Sequence, residues 1–148
     1  MGAFRNRQAV IARRDESLTE AARRIRDFHV GTLIVVDDAD GRRILVGVLT
    51  DRDLVVSVLA RNGRDIDSLN VGDVMTAEPV TARGDENLLD ALKKMRTFGV
   101  RRLPIVSDKG ALEGILIFDD VIDLVAEELS DLTNLVAREQ KREREARP

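Results

Sequence analysis

VIARRDESLTEAARRIRDFHVGTLIVV, residues 10–36, returns later in the chain as VTARGDENLLDALKKMRTFGVRRLPIV, residues 80–106. At a constant offset of 70, twelve of the 27 aligned positions are identical. The match resumes at an offset of 67, where Gly47-Val48-Leu49 aligns with Gly114-Ile115-Leu116. Such an internal repeat predicts two copies of one structural unit. Two copies packed about a pseudo-twofold axis leave a cleft between them, which is a natural place for a ligand.

The composition is that of a globular protein with one domain, or with two small units that share a core. Hydrophobic residues make up 43% of the chain, too many for a disordered protein. No apolar stretch is long enough to span a membrane, and the first residues lack the apolar core of a signal peptide. The chain has no cysteine, which excludes disulfides and Cys-bound metals, and we expect a cytoplasmic protein. A net charge of −3 gives no general attraction to nucleic acid.

Each copy has the pattern of a β-α-β-β-α unit. In the first copy, Ser17 and Glu20 have the spacing of a capping box, and apolar residues follow at helical spacing through Phe28. The elements expected in the first copy are a strand at 8–12, a helix from Ser17, a strand at 32–36, a turn at 37–41, a strand at 44–49 and a helix at 50–60 that Asn62-Gly63 ends. Those expected in the second are a strand at 80–82, a helix at 85–98, a strand at 103–106, a turn at 107–110, a strand at 112–117 and a helix from Phe118.

Four segments follow from this pattern. They are a first repeat at 8–62, a linker with a short helical turn at 63–78, a second repeat at 79–124 and a C-terminal helix extension at 125–148, frayed from Arg142. Within the extension, Val125, Leu129, Leu132 and Val136 step by four, three and four, like the seam of a coiled coil. This stripe packs either on the core of its own chain or on another subunit. We favour the subunit contact, because the helix extends beyond the repeat that would otherwise cover it.

Most kinds of active site are excluded. His29 is the one histidine of the chain, so it cannot build a multi-histidine metal site, and we expect it to be a helix-end residue. The phosphate-binding loop of the nucleotide hydrolases and the glycine-rich dinucleotide fingerprint are both missing. Because no nucleophile and base can be paired, we do not expect an enzyme.

The stretch GVLTDRDL, residues 47–54, carries the remaining chemistry. A strand runs directly into a helix there, and Thr50 and Asp53 match a capping box, which needs no further role. The same geometry also suits an anion, because a helix N-terminus offers unpaired N–H groups. The Thr50 hydroxyl would bond a phosphate, Arg52 would neutralise it, and Asp53 would accept the hydroxyls of a ribose. GILIFDDV, residues 114–121, stands at the matching place in the second copy and gives the motif more weight.

The duplicated pattern resembles a tandem pair of CBS domains, named for cystathionine β-synthase and together called a Bateman module. The resemblance covers about residues 8–124 and includes DVMT at 73–76, HVGTLIVV at 29–36 and GVRRLPIV at 99–106. It implies an α+β fold of two β-α-β-β-α repeats, packed through their sheets with pseudo-twofold symmetry, plus the extended C-terminal helix. It also implies clefts for adenosine-containing ligands: AMP, ADP or ATP, and in some members S-adenosylmethionine or dinucleotides.

The resemblance further assigns residues to two clefts. In the first cleft, Thr50 and Asp53 hold phosphate and ribose with Arg52 nearby, and the adenine slot is lined by Ile11, Val30, Gly31 and Thr32. In the second cleft, Asp120 keeps the ribose role, and the rest is lined by Thr81, Val100, Arg101 and Arg102. The chain departs from the family at Ile117, which replaces a Thr or Ser, and at 3–7, which lacks the Asp-x-Met lead-in. We therefore expect the first cleft to be the better nucleotide site.

Two functions remain. The first is a non-catalytic regulatory module, a homodimer that binds an adenine nucleotide and controls an unknown client protein. The alternative is a protein–protein interaction scaffold with empty clefts, in which the C-terminal helix mediates assembly. Neither function involves a membrane, and we do not expect nucleic acid as a partner.

Overall fold

The computed structural model describes residues 9–60 and 63–146 and separates two compact units, Met1–Leu116 and Ile117–Pro148. In chain order the elements are β1 (Ile11–Ala12), α1 (Leu18–Phe28), β2 (Thr32–Ala39), β3 (Arg42–Thr50), α2 (Asp51–Asp53) continued by a π-helix (Leu54–Leu59), a 3₁₀ segment (Gly63–Ser68), α3 (Val71–Val74), β4 (Thr76–Ala77), β5 (Ala82–Arg83), α4 (Leu88–Phe98), β6 (Arg102–Val106), β7 (Leu112–Ile117) and α5 (Phe118–Ala146). This mixed α/β architecture confirms the predicted fold class. The lead-in at 3–7, Gln8 and Asn62 lie outside the described residues.

The first sheet has the strand order β1-β2-β3-β4. β1 runs parallel to β2, with Ile11 opposite Ile34, while β3 pairs antiparallel with both β2 and β4. The central strand β2 is rich in β-branched residues, which fit a pleated and buried surface, and its residues 33–36 are all buried. β2 and β3 therefore pair as the hairpin that the sequence pattern predicted.

The turn of the first hairpin is shorter than predicted. The sequence indicated a turn at 37–41, whereas β2 continues through Ala39. Only Asp40 and Gly41 turn, with φ angles of 51° and 73°. Positive φ at both positions is what a two-residue type I′ hairpin requires, and Asp-Gly is a favoured pair for it. The prediction was wrong because aspartates are typical of loops, and the sequence alone does not show the arginines that pair with them.

Two ion pairs hold those aspartates in the strand. Asp38 Oδ2 accepts from Arg13 Nε at 2.7 Å, and Asp37 is paired with Arg14. The hydrogen bonds from the guanidinium groups lower the pKa of both carboxyls and raise the pKa of both arginines. The pairs thus connect the segment after β1 to the end of β2.

The second sheet has the strand order β5-β6-β7, and β5 runs parallel to β6 with Ala82 opposite Ile105. The helix between them begins at Leu88 rather than at the predicted residue 85. Asn87 caps it, because its side-chain Oδ1 accepts from the N–H of Leu89 at 2.9 Å. Ser17 caps α1 as predicted and accepts from the N–H of Glu20 at 3.1 Å.

Both copies contain the same clamp between helix and strand. Arg24 Nη1 donates to the carbonyl of Ile11 at 2.5 Å and lies 2.8 Å from Glu16 Oε2. Glu16 Oε1 in turn accepts from the N–H of Arg13 at 3.2 Å. The equivalent clamp of the second copy is made by Lys94, Thr81, Glu86 and Arg83. The duplication seen in the sequence is therefore also a duplication of side-chain contacts.

The core of the first copy lies between α1, the inner face of the hairpin and the linker. α3 is attached to it because the N–H of Val71 donates to the carbonyl of Glu16 and that of Gly72 to the carbonyl of Arg14, both at 2.9 Å. The fully buried members of this cluster include Leu18, Leu33, Val35, Leu49 and Val71. The linker that the sequence placed at 63–78 is thus anchored on the first copy.

The second unit is built on α5. It begins at Phe118, as predicted, but remains helical through Ala146, so the expected fraying from Arg142 is absent within the described residues. The predicted stripe lies on the surface of α5, with Leu129 and Leu132 each 59% exposed. Among the described residues, no helix is both long enough and apolar enough to cross a membrane.

Candidate functional site

A cavity of about 410 Å³ lies within the first unit. One wall is the β2–β3 hairpin, where Thr32 stands opposite Thr50 and Ile34 opposite Val48. Side chains alternate between the two faces of a sheet, so these four side chains share one face. The first repeat therefore offers the cavity two hydroxyls and two aliphatic groups.

The linker forms a second wall. The cavity-lining residues here are Thr76 and Glu78 of the linker and Pro79 and Val80 at the start of the second copy. The segment reaches the hairpin through β4, and Gly47 permits this approach. A Cβ at Gly47 would lie only 2.8 Å from the carbonyl oxygen of Thr76 and 2.7 Å from Met75 Sδ. Glycine is thus required on β3 for the linker to lie against the hairpin.

The third wall comes from the second copy. It consists of the turn after α4 and the start of β6, and its lining residues are Gly99, Val100, Arg101, Arg102 and Pro104. Gly99 ends α4 in the left-handed conformation, with φ 65°. The Arg102 guanidinium reaches toward the first copy, because a Cβ placed on Gly31 would lie 3.6 Å from its Nη1. The turn therefore brings two arginines to the cavity.

Thr50 and Asp53 form a complete capping box at the cavity. Asp53 Oδ2 accepts from the N–H of Thr50 at 2.9 Å, and Thr50 Oγ1 accepts from the N–H of Asp53 at 3.1 Å. A threonine hydroxyl has one proton to donate, and a carboxylate has two oxygens that accept. The box fixes both side chains, and it uses neither the hydroxyl proton of Thr50 nor Asp53 Oδ1.

The cavity joins apolar walls to a few charged groups, the usual make-up of a small-molecule site. A flat apolar group would pack between the aliphatic side chains, and an anionic group would pair with the arginines. Among the described residues, no three His, Cys, Asp or Glu are grouped to hold a metal ion. His29 ends α1, with φ 53° and its N–H bonded to the carbonyls of Arg26 and Ile25, as expected of a helix-end residue.

A family model described as the CBS domain matches the chain twice, at residues 2–60 and 71–127. The chain belongs to the CBS domain family. Its two matches coincide with the two copies of the repeat and confirm the tandem CBS pair that the sequence pattern indicated.

Several curated proteins resemble this CBS pair. An uncharacterised protein of Methanopyrus kandleri, MK0525, is 33% identical over 121 residues, which are 77% of this chain and 60% of that protein. Uncharacterised protein YlbB of Bacillus subtilis is 35% identical over 119 residues, 80% of this chain and 73% of YlbB. The chain spans about 60% of the length of the first curated relatives it matches.

Solved CBS structures share the fold. A crystal structure of CBSX2 in complex with AMP is 29% identical, with a TM-score of 0.70 over 85% of this chain and 95% of that one. The CBS domain pair of protein MJ0100, in complex with 5′-methylthioadenosine and S-adenosyl-L-methionine, is 25% identical, with a TM-score of 0.71 over 85% and 94%. Both neighbours were therefore solved with adenosine-containing ligands.

Half of the residues predicted from the CBS resemblance line the cavity. They are Thr32, Thr50, Asp53, Val100, Arg101 and Arg102. The resemblance assigned the last three to the second cleft, and the structure places them on the wall of the cavity that Thr50 and Asp53 also line. The turn that carries them faces the β2–β3 hairpin, so residues of both copies meet at one site.

The other six predicted residues do not line this cavity. Ile11 and Thr81 use their carbonyls in the two clamps, and Arg52 is exposed on α2. Val30 and Gly31 lie in the turn before β2, next to the cavity-lining Thr32, and Asp120 lies in the first turn of α5, in the second unit. The assignment of these six residues to a nucleotide site stays a prediction.

The sequence reasoning missed eight lining residues. They are Ile34, Val48, Thr76, Glu78, Pro79, Val80, Gly99 and Pro104. A usable signal existed for Ile34 and Val48, because each lies two residues from a predicted site residue on the same strand face. The linker residues had no such signal, since only the pairing of β4 with β3 brings them to the site.

Proposed function

We propose that the chain is a non-catalytic regulatory CBS pair of the cytoplasm that binds an adenine nucleotide, AMP, ADP or ATP, in the cavity. The observation that carries the proposal is the joining of the Thr50–Asp53 capping box to Arg101 and Arg102 across one cavity. The complexes of CBSX2 with AMP and of MJ0100 with adenosine compounds support the same ligand class.

Each part of the nucleotide has a matching group in this proposal. The base packs between the aliphatic side chains of the hairpin and the turn before β6. Asp53 Oδ1 accepts the ribose hydroxyls, the Thr50 hydroxyl donates to a phosphate oxygen, and Arg101 and Arg102 neutralise the phosphate charge. AMP is the first ligand to test, because it is the ligand of the CBSX2 complex.

Calorimetric titration with AMP, ADP, ATP, NAD and S-adenosylmethionine tests the proposal. The Asp53→Asn variant keeps an oxygen for the capping bond but loses the charge that favours two ribose hydroxyls, so we expect AMP affinity to fall at least about tenfold. Asp73→Asn is the matched control, because Asp73 makes the same capping bond to Asn70 in α3 and does not line the cavity. Heats at the dilution baseline for all five ligands would refute the proposal.

The interaction scaffold remains the second candidate, favoured by one observation. α5 exposes a row of large apolar residues, whereas the solvent-facing side of a surface helix usually carries polar and charged residues. In that reading the cavity is empty and α5 recruits a partner. The regulatory proposal also includes a homodimer and an unidentified client protein, because occupancy of a site controls another protein only through a contact.

A further inference from the structure

The row on α5 has the spacing of a coiled-coil seam. Its members alternate by three and four residues and are each between 42% and 59% exposed: Ile122, Val125, Leu129, Leu132 and Val136. Depressions of about 380 Å³ and 340 Å³ lie along the same helix, and Leu132 lines both. A contiguous apolar surface of this kind marks an interaction site.

We propose that α5 of a second copy of this chain covers the seam in antiparallel orientation. The distribution of charge along the helix selects both the partner and the direction. Residues 121–131 contain four acids and no base, whereas residues 132–146 contain four bases and three acids. An antiparallel pair sets each strongly acidic half beside a half with a small net positive charge, while a parallel pair would set the two acidic halves side by side and make them repel.

The apolar layers fix the register. With the twofold axis between Leu129 and Leu132, each Leu129 packs against Leu132 of the partner subunit. Val125 then packs against Val136 of the partner subunit, which completes four apolar layers over about 16 Å of helix. The proposal specifies the surface of the expected homodimer and does not depend on nucleotide binding.

Sedimentation velocity of the full chain tests the surface. We expect a dimer, and we expect Leu132→Asp to raise its dissociation constant about 100-fold, because each dimer loses two buried leucines. Asn134→Asp is the matched control, with the same added charge on the opposite face of α5. Circular dichroism should show both variants folded, since both side chains are exposed. A monomeric wild type, or a Leu132→Asp dimer as tight as wild type, overturns the proposal.

Disulfide trapping tests the orientation, and the chain is suited to it because it has no cysteine. A mixture of Val125→Cys and Val136→Cys chains should cross-link on oxidation, while each variant alone should not. In the antiparallel register two copies of position 125 are about 16 Å apart, beyond the reach of a disulfide. Cross-linking of Val125→Cys with itself would show a parallel pair and overturn the proposal. AMP titration of the same samples reports separately on the cavity.

Discussion

Thr50 and Asp53 show how one pair of residues completes a helix end and prepares a surface for a ligand. Each side chain satisfies a backbone N–H of the other residue, at 2.9 Å and 3.1 Å, so neither rotates freely. A group already held in place loses little conformational entropy when a ligand binds. This motif can therefore cap the helix and bind a ligand at the same time, and the cap preorganises the proposed site.

Replacement of Gly47 tests whether the fold depends on the close approach of β4 to β3. A methyl group there would meet the Thr76 carbonyl oxygen at 2.8 Å, so Gly47→Ala should destabilise the fold by about 1–3 kcal/mol. Gly31→Ala is the control, since its Cβ would meet neighbours only at 3.6 Å and its φ is negative. Urea unfolding of both variants compares them, and equal stability would show that β4 does not need this close approach.

The two aspartates near the end of β2 predict a response to acid. Arginine partners lower the pKa of Asp37 and Asp38 in the folded state. Their contribution is therefore present above the unfolded pKa, about 4, and is lost as pH falls through the lower folded values. We expect the Asp37→Asn, Asp38→Asn double variant to lose less thermal stability than wild type between about pH 5 and pH 2.

At the scale of elements, features that depend on neighbouring residues could be predicted from the sequence. Pairings between distant segments could not. The cap at Ser17 and the start of α5 at Phe118 followed from local spacing. β2 extends three residues beyond its predicted end, because its aspartates form ion pairs with arginines that lie more than twenty residues away in the sequence. The π-helix at Leu54–Leu59 also had no local signal in the hydrophobic pattern.

The start of α4 gives a prediction about an element. Asn87 supplies the capping oxygen to the N–H of Leu89, so Asn87→Ala should cost about 1 kcal/mol of unfolding free energy. Asn134→Ala is the control, because Asn134 is exposed in the middle of α5, where alanine is tolerated. Thermal unfolding followed by circular dichroism measures both, and a neutral Asn87→Ala would place the helix start elsewhere.

At the scale of the whole molecule, the proposed ligand should stabilise the fold. AMP at about 100 times its dissociation constant would add about 2.7 kcal/mol, because it binds only the folded chain. The midpoint of thermal unfolding should rise with AMP in wild type and in Asp73→Asn, and much less in Asp53→Asn at the same concentration. An equal rise in all three chains would remove Asp53 from the site.

The site itself could be predicted only in part. The residues on GVLTDRDL were recognisable because strand, cap and acid lie within eight positions. Their meeting with Arg101 and Arg102 depends on the packing of two copies, and the contribution of Glu78 depends on a linker strand of two residues. Contacts between such distant segments produce no periodic pattern in the sequence from which they could be predicted.

The matching clamps imply that both halves descend from one ancestral half, yet the cavity uses them unequally. The earlier copy contributes two hydroxyls and an acid, while the later copy contributes two guanidinium groups. A chain of two identical halves would have presented the same chemical groups twice. Divergence after duplication therefore allowed a division of labour, in which a single pocket collects complementary groups that neither half holds alone.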